Sequence, residues 1–250
     1  MKNIILPILI LLVFISCKKD TIQGENVTEY LIPLQSGKYI TYRLDSTVFV
    51  QDGRSEELHS YQEKHAVRES FHDNQGRLSY WVDRLIRDLD GTHAWKFVNS
   101  YYITPTKNTI EITENRLRTT ALLGPIKKDI TWKGNINMPK KPYSDIYHFS
   151  NDNEMGNWDF TVKDVLQSES INGKTYNQVL LITHANELVN VPITNPTAFA
   201  QKTISFDKYA KGIGLVYQEH ALWEYQPNPG ANNRPYKVGF EVKRSIIDHN

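Results

Sequence analysis

Hydrophobic and polar residues alternate along much of the chain after Pro33. In the first such run, from residue 39 to residue 50, the polar side chains of Thr41 and Arg43 fall between apolar ones. The apolar positions of this run are Ile40, Tyr42, Leu44, Val48 and Val50. Successive side chains of a β-strand point to opposite faces of its sheet, so this period of two predicts a strand with one buried face.

The same alternation returns in two later runs and predicts which residues face the core. Trp158, Phe160 and Val162 alternate with Asp159, Thr161 and Lys163, and Val238, Phe240 and Val242 alternate with Glu241, Lys243 and Ser245. Turn-forming pairs stand between such runs at Asp52-Gly53, Asp73 to Gly76, Asp90-Gly91 and Asn172-Gly173. Asp-Gly and Asn-Gly favour tight hairpins because they tolerate positive φ.

These signals together predict an all-β fold. About ten strands in an antiparallel meander would form a curved sheet, a sandwich or an incomplete barrel. Residues 185–203 break the alternation and contain Pro192 and Pro196. We therefore expect a loop or a short helical excursion there.

The first residues of the chain have a different pattern. The apolar run from Ile4 to Ile15 follows Lys2 and is shorter than the ~20 residues that a membrane-spanning helix needs. A basic start, a short apolar stretch and a small residue before a cleavage point are the parts of a secretory signal peptide. This run therefore predicts export from the cytoplasm.

The residues Phe14-Ile15-Ser16-Cys17 resemble the lipobox of bacterial lipoproteins. That resemblance implies that Cys17 is acylated, for example with palmitate, and becomes the first residue of the mature protein. The alternative is an ordinary signal peptide followed by an incidental cysteine. Cys17 is the only cysteine of the chain, so it has no partner for an internal disulfide. Two or more acyl chains would anchor the protein stably to a membrane.

The predicted domain organisation follows from these boundaries. Residues 1–16 are the lipoprotein signal peptide, residues 17–29 a polar, flexible tether, and residues 30–250 a single β domain. The predicted location is the cell envelope, with the outer membrane favoured and the face of that membrane left open.

Several segments of the mature region resemble a group of uncharacterised lipoproteins of Bacteroidota. These segments are YLIPL at 30–34, YQEKHAV at 61–67, WKGN at 132–135, YAKGIGLVYQE at 209–219 and IIDHN at 246–250. The resemblance implies an envelope address and a β fold, and it implies no activity.

Charge and nucleotide motifs exclude several classes of function. Without Lys2 the mature chain has 28 basic and 28 acidic residues, so no basic field is present to attract nucleic acid. Gly212 and Gly214 begin a dinucleotide-like pattern, but Tyr217 occupies the place of its third glycine. A strand-entry turn is the better interpretation. The chain also lacks a GxSxG elbow and a phosphate-binding loop.

No catalytic, cofactor-binding or metal-binding residue is predicted. His184 and Glu187 have a metal-like spacing that works only on a helix, whereas His184 ends a strand-like run. One predicted strand contains three histidines, His59, His65 and His72. The first two would point to one face of the strand and His72 to the other, so the three would not converge on a metal ion. Two carboxylate pairs, Asp83 with Asp88 and Asp145 with Asp152, offer acid and base groups to a glycosidase, but acidic turn residues beside Gly and Asn are the more common explanation.

The most favoured function is binding, either of a lipid or other apolar ligand or of an envelope protein. A cluster of aromatic residues could line a pocket or simply pack in the core: Tyr80, Trp81, Trp95, Phe97, Tyr101 and Tyr102. The alternatives are an envelope glycan hydrolase and a structural subunit of a surface complex. Convergent titratable groups in a pocket would favour an enzyme, and an apolar concavity would favour a binding protein.

The lipobox makes a direct prediction about Cys17. Replacing the thiol by a hydroxyl in Cys17→Ser removes the acylation site, so metabolic labelling with a fatty acid should be abolished. The protein should remain uncleaved or appear in the soluble fraction. Unchanged labelling of Cys17→Ser would show that Cys17 is not the lipid attachment site.

Overall fold

The computed structural model describes residues 25–151, 153–227 and 234–250. In these ranges the chain forms twelve strands, two 3-10 helices at Val27–Tyr30 and Met155–Asn157, and a four-residue helix α1 at Ser144–Tyr147. The strands are β1 (Tyr39–Val50), β2 (Ser55–His72), β3 (Leu78–Asp88), β4 (Lys96–Pro105), β5 (Thr109–Glu114), β6 (Leu117–Leu123), β7 (Thr131–Trp132), β8 (Phe160–Ile171), β9 (Lys174–Val189), β10 (Ala200–Ala210), β11 (Gly214–Gln226) and β12 (Tyr236–His249). The predicted all-β class is confirmed.

All twelve strands belong to one antiparallel sheet with the order β6-β5-β4-β3-β2-β1-β12-β11-β10-β9-β8-β7. Each strand pairs with its neighbour in sequence, as in a meander, except at two places. The first strand, β1, pairs with the last, β12, and β6 and β7 are the two ends of the order. The two halves of the chain are therefore joined at the centre of the sheet by its first and last strands.

The sheet curls until its two ends meet. The backbone N–H of Thr120 in β6 donates to the carbonyl oxygen of Gly134 at 2.8 Å. The indole Nε1 of Trp132 in β7 donates to the carbonyl oxygen of Thr120 at 2.7 Å. Of the three predicted arrangements, the structure is thus the incomplete barrel, nearly closed.

The inward and outward faces predicted for residues 158–163 are confirmed. Phe160 and Val162 are 2% and 0% exposed, whereas Asp159 and Lys163 are exposed. In β1 the side chains of Ile40, Tyr42 and Leu44, on the face predicted to point inward, are also buried. Thr41 is buried as well, because the register between β1 and β12 shifts next to this residue.

The loop predicted at residues 185–203 is shorter than expected. β9 continues to Val189 and β10 begins at Ala200, so only residues 190–199 leave the sheet. Val189 is directly opposite Gln201 in the ladder. The two strands extend into residues where the alternation of hydrophobic and polar side chains is weak. They do so because each paired residue satisfies backbone hydrogen bonds that a loop leaves to water.

A segment at the start of the described chain closes one end of the barrel. We call residues 25–32 the N-terminal plug. Val27 and Tyr30 in it are fully buried, and the backbone N–H of Gly212 donates to the Glu29 carbonyl oxygen at 2.6 Å. Gly214 lies against the plug with φ +105°, and a Cβ there would stand 2.9 Å from the Ile32 nitrogen. Within the described residues, packing against the sheet therefore already includes Val27, ahead of the predicted boundary at residue 30.

A long connection covers the other end of the barrel. We call residues 133–151 and 153–159, between β7 and β8, the cap segment. Its Tyr147 ring stacks on Phe240 of β12 with centroids 4.0 Å apart, and Tyr143 meets the same ring edge-on at 4.9 Å. Aromatic contacts of this kind hold the segment over the interior.

The predicted signal peptide, Cys17 and the tether up to residue 24 lie outside the described residues. Within the described part of the chain, no helix has the length and apolar character needed to cross a membrane. The division into signal peptide, tether and single domain stays a prediction.

Two neighbouring residues of β8 test the inward and outward faces. Phe160→Ala should lower the free energy of unfolding by ~3 to 5 kcal/mol, because it removes a buried ring. The outward change Thr161→Ala should cost about 0.5 kcal/mol or less. Urea denaturation of both variants measures the difference, and similar losses would contradict the assigned faces.

Candidate functional site

The interior of the barrel contains an unfilled space. It consists of a cavity of about 440 Å³ near the cap segment and one of about 140 Å³ near the N-terminal plug. The two share six lining residues: Ile112, Glu114, Tyr209, Leu215, Gln218 and Arg244. A twelve-stranded sheet encloses more volume than its inward side chains fill.

The larger cavity has an entrance that is mostly apolar, with the exposed Asn115 as its polar member. Val98 at the start of β4 and Ile146 in the cap segment both line it, and they are 48% and 42% exposed. Tyr147 beside them is 37% exposed. The plug covers the end where β1 and β11 begin, whereas this entrance lies by the start of β4 and the β5–β6 turn, toward the other end.

A buried ion cluster joins four strands of the wall. The Glu63 carboxylate in β2 is 1% exposed. It accepts hydrogen bonds from Arg84 of β3 and from Arg244 Nε of β12, the latter at 2.6 Å. Arg84 also donates to Glu114 of β5. Because each charge has an opposite partner, the cluster tolerates its removal from water.

The cluster fixes the charge states of its members. Burial alone would raise the pKa of Glu63, but the guanidinium groups of Arg244 and Arg84 outweigh it and hold that pKa well below the usual range. Burial lowers the pKa of His65. Glu63 is therefore ionised and His65 neutral at pH 7, so the 3.2 Å approach of His65 Nε2 to the carboxylate is not an ion pair.

A second polar group lies across the cavity on β9, β10 and β11. Ser205 Oγ is 2.8 Å from His184 Nδ1 and 3.0 Å from His220 Nδ1, and His220 Nε2 is 3.0 Å from the Tyr143 hydroxyl. Burial lowers the pKa of each histidine to about 3. Both rings are thus neutral at pH 7 and offer one donor and one acceptor nitrogen each.

A bulge brings His184 next to Ser205. In the pairing of β9 with β10, Ser205 is opposite Ala185 and Phe206 is opposite Thr183, so His184 has no directly opposite residue. Bulges commonly redirect side chains next to functional sites. The His184 ring stacks on Phe160 with centroids 3.7 Å apart, and its Nε2 is buried without a hydrogen-bond partner.

Asp207 is a cavity carboxylate whose pKa is raised. It is 6% exposed, and its oxygens accept hydrogen bonds from Gln218 Nε2 at 2.9 Å and from the Tyr209 hydroxyl at 3.1 Å. Burial raises its pKa to about 6, and the two hydrogen bonds and Arg244 only partly oppose that rise. His184 Nε2 lies 3.7 Å from Asp207 Oδ2, too far for a hydrogen bond.

The carboxylates considered from sequence have local roles. Asp83 pairs with Arg68 and accepts from Ser100, and Asp88 accepts from backbone N–H groups of the β3–β4 turn. Neither lines the cavity. Asp145 lies in α1, and Asp152 is outside the described residues.

The histidines considered as ligands do not assemble a metal site either. Glu187 accepts a hydrogen bond from Asn153, away from the His184 ring contacts. His59 pairs with the exposed Glu57, whereas His65 faces the ion cluster. In the described ranges, no three His, Cys, Asp or Glu side chains stand close enough to hold a metal ion.

The predicted aromatic cluster is divided between the two faces of the sheet. Tyr101 lines the smaller cavity, and its hydroxyl lies 3.0 Å from His65 Nδ1. Trp81 and Tyr102 instead pack with Phe71 on the opposite face. Phe97 is 56% exposed. The cluster as a whole therefore does not form one pocket.

Comparisons with known proteins add little about function. No protein-family model and no curated protein matches the chain. One solved structure, a Bacteroides fragilis protein provisionally described as exported and as having a YmcC-like fold, is 11% identical and matches with a TM-score of 0.32. The match covers 87% of this chain and 99% of that one. A likeness of this size assigns neither a family nor an activity.

The charge of Asp207 predicts a pH-dependent effect on stability. Its pKa is near 3.8 when unfolded and about 6 when folded, so its favourable contribution is complete below about pH 4 and is lost as the pH rises through about 6. Asp207→Asn stays neutral. Its free energy of unfolding, relative to wild type, should rise by roughly 2 to 3 kcal/mol between about pH 4 and about pH 8.

Urea denaturation at several pH values measures this change. The matched control is Asp159→Asn, which alters an exposed carboxylate beside β8. A difference between Asp207→Asn and wild type that does not vary with pH would contradict the assigned pKa.

Proposed function

We propose that this protein is an envelope lipoprotein, anchored through acyl chains on Cys17 at the outer membrane, whose cavity binds an amphipathic ligand. The lipobox supports the anchor, and the interior space supports the binding. This function refines the lipid or apolar-ligand hypothesis drawn from sequence.

The observation that carries the proposal is the cavity of about 440 Å³ with a mostly apolar entrance. Ligand sites are typically concave, mostly apolar and equipped with a few convergent polar groups. Ile112, Leu215 and Phe160 supply apolar wall, and Val98 and Ile146 expose apolar surface where a ligand would enter. Exposed apolar side chains at an opening are characteristic of sites that exchange apolar molecules.

The polar wall determines which kind of ligand fits. A pure hydrocarbon would leave His184 Nε2 and the free capacity of Asp207 unsatisfied, at a cost of about 1 to 3 kcal/mol for each unsatisfied group. A molecule with an apolar chain and a polar head satisfies both parts of the cavity.

A second candidate function is ester hydrolysis. Ser205, His184 and Asp207 follow one another as nucleophile, base and orienting acid do in a hydrolase. Ser205 Oγ is 2.8 Å from His184 Nδ1, and His184 Nε2 is 3.7 Å from Asp207 Oδ2. Two features weigh against it. The His184–Asp207 contact is not a hydrogen bond, and Ser205 lies mid-strand between β9 and β11, where backbone N–H groups serve the sheet rather than an oxyanion.

Native mass spectrometry of the full-length protein, purified from its own membrane, tests the proposal. The wild-type protein should retain a ligand or bind the apolar dye N-phenyl-1-naphthylamine. Ala121→Phe, which places a ring in the cavity wall, should weaken dye binding by about tenfold or more. Ala66→Phe, in β2 outside the cavity lining, should leave dye binding unchanged.

Circular dichroism confirms that both variants are folded. Absence of any retained ligand and of dye binding by the wild type would overturn the binding function. Covalent labelling of Ser205 by a fluorophosphonate, lost in Ser205→Ala and kept in Ser79→Ala, would instead favour the hydrolase.

A further inference from the structure

The charges inside the barrel are not balanced. Of the described residues that line the cavity or belong to the ion cluster, Arg84 and Arg244 are cationic, and Glu63, Glu114 and Asp207 are carboxylates. The two guanidinium groups are engaged by Glu63 and Glu114. Asp207 is thus the carboxylate in excess.

The protein surrounds Asp207 with neutral donors only. Gln218 and Tyr209 each donate one hydrogen bond to it. Arg244 donates to Glu63 and Gln218 and influences Asp207 from a greater distance. A carboxylate has about four lone-pair sites, so Asp207 has unused acceptor capacity in the cavity wall.

His184 places an unpaired ring nitrogen beside it. The contacts from His184 through Ser205 and His220 to Tyr143 are satisfied with donation running in either direction, so His184 Nε2 carries a lone pair in one tautomer and an N–H in the other. That atom is buried, has no partner, and lies 3.7 Å from Asp207 Oδ2. A cationic donor bound at Asp207 would favour the tautomer whose Nε2 accepts a hydrogen bond.

We propose that the cavity selects amphipathic ligands with a protonated amine as the head group, held between Asp207 and His184. This inference rests on the proposed binding function and names its ligand class. An ammonium group supplies the missing positive charge and three N–H donors, enough for Asp207 and for the lone pair of His184 in the tautomer that the cation favours. An alcohol supplies one donor and no charge, and a carboxylate would add a second uncompensated anion.

The apolar remainder of such a ligand has a place in the same cavity. Phe160, which stacks on His184, and Tyr143 place aromatic surface close to the proposed head-group position. Aromatic faces attract cations because the face of the ring carries partial negative charge. Beyond them, Ile112 and Leu215 continue toward the smaller cavity.

Displacement of N-phenyl-1-naphthylamine from the full-length protein by octylamine, octanol and octanoate tests the inference. The three probes share one chain and differ in head group. Octylamine should bind about tenfold tighter than octanol, and octanoate should bind most weakly. In Asp207→Asn the advantage of octylamine over octanol should fall below about twofold, while octanol affinity is kept. Asp83→Asn, a change outside the cavity, should behave like wild type.

The outcomes separate the two proposals. If none of the probes displaces the dye, the binding function itself fails. If all three bind equally, the cavity binds amphiphiles and the amine preference is wrong. If octylamine keeps its advantage in a folded Asp207→Asn protein, the preference does not come from Asp207, and the assigned site is overturned.

Discussion

The structure depends on the burial of one carboxylate between two guanidinium groups. Glu63 lies 181 residues from Arg244 in sequence, yet both project from strands that flank β1. Leaving any one of the three charges unpaired in this interior would cost several kcal/mol. The cluster therefore penalises any slip in the registers of β2, β3 and β12, and it ties together the two halves of the meander.

The width of the sheet explains why the interior is not a conventional apolar core. A nearly closed sheet of twelve strands is too wide to be filled by inward side chains, so the chain closes it with separate segments. The N-terminal plug packs into one end and the cap segment covers the other. Among the described residues that bound the volume left between them, Asp207 keeps free acceptor capacity, and His65, Asn99 and His184 each have a buried polar atom without a hydrogen-bond partner.

The sequence predicted those parts of the fold that follow from local pattern. The strand class, the turns at Gly53, Gly76 and Gly173, and the buried parity of Phe160 all come from alternation and turn chemistry. Parity does not identify which polar residues point inward, since a strand such as β2 carries polar side chains on both faces. The site was missed for that reason, and because its members lie on strands far apart in sequence. The bulge at His184 leaves no local signal.

The position of the N-terminal plug gives the protein a direction. The chain leaves the sheet at its closed end, and the eight steps from Glu25 back to Cys17 reach at most about 28 Å. β2 alone, at 18 residues, extends for about 60 Å along its strand. With Cys17 anchored as we propose, the bilayer lies on the side of the plug and the cavity opens away from it. Ligand would then enter and leave on the side that faces away from the anchoring bilayer. The protein would exchange ligand with partners across that space rather than with the lipids that anchor it.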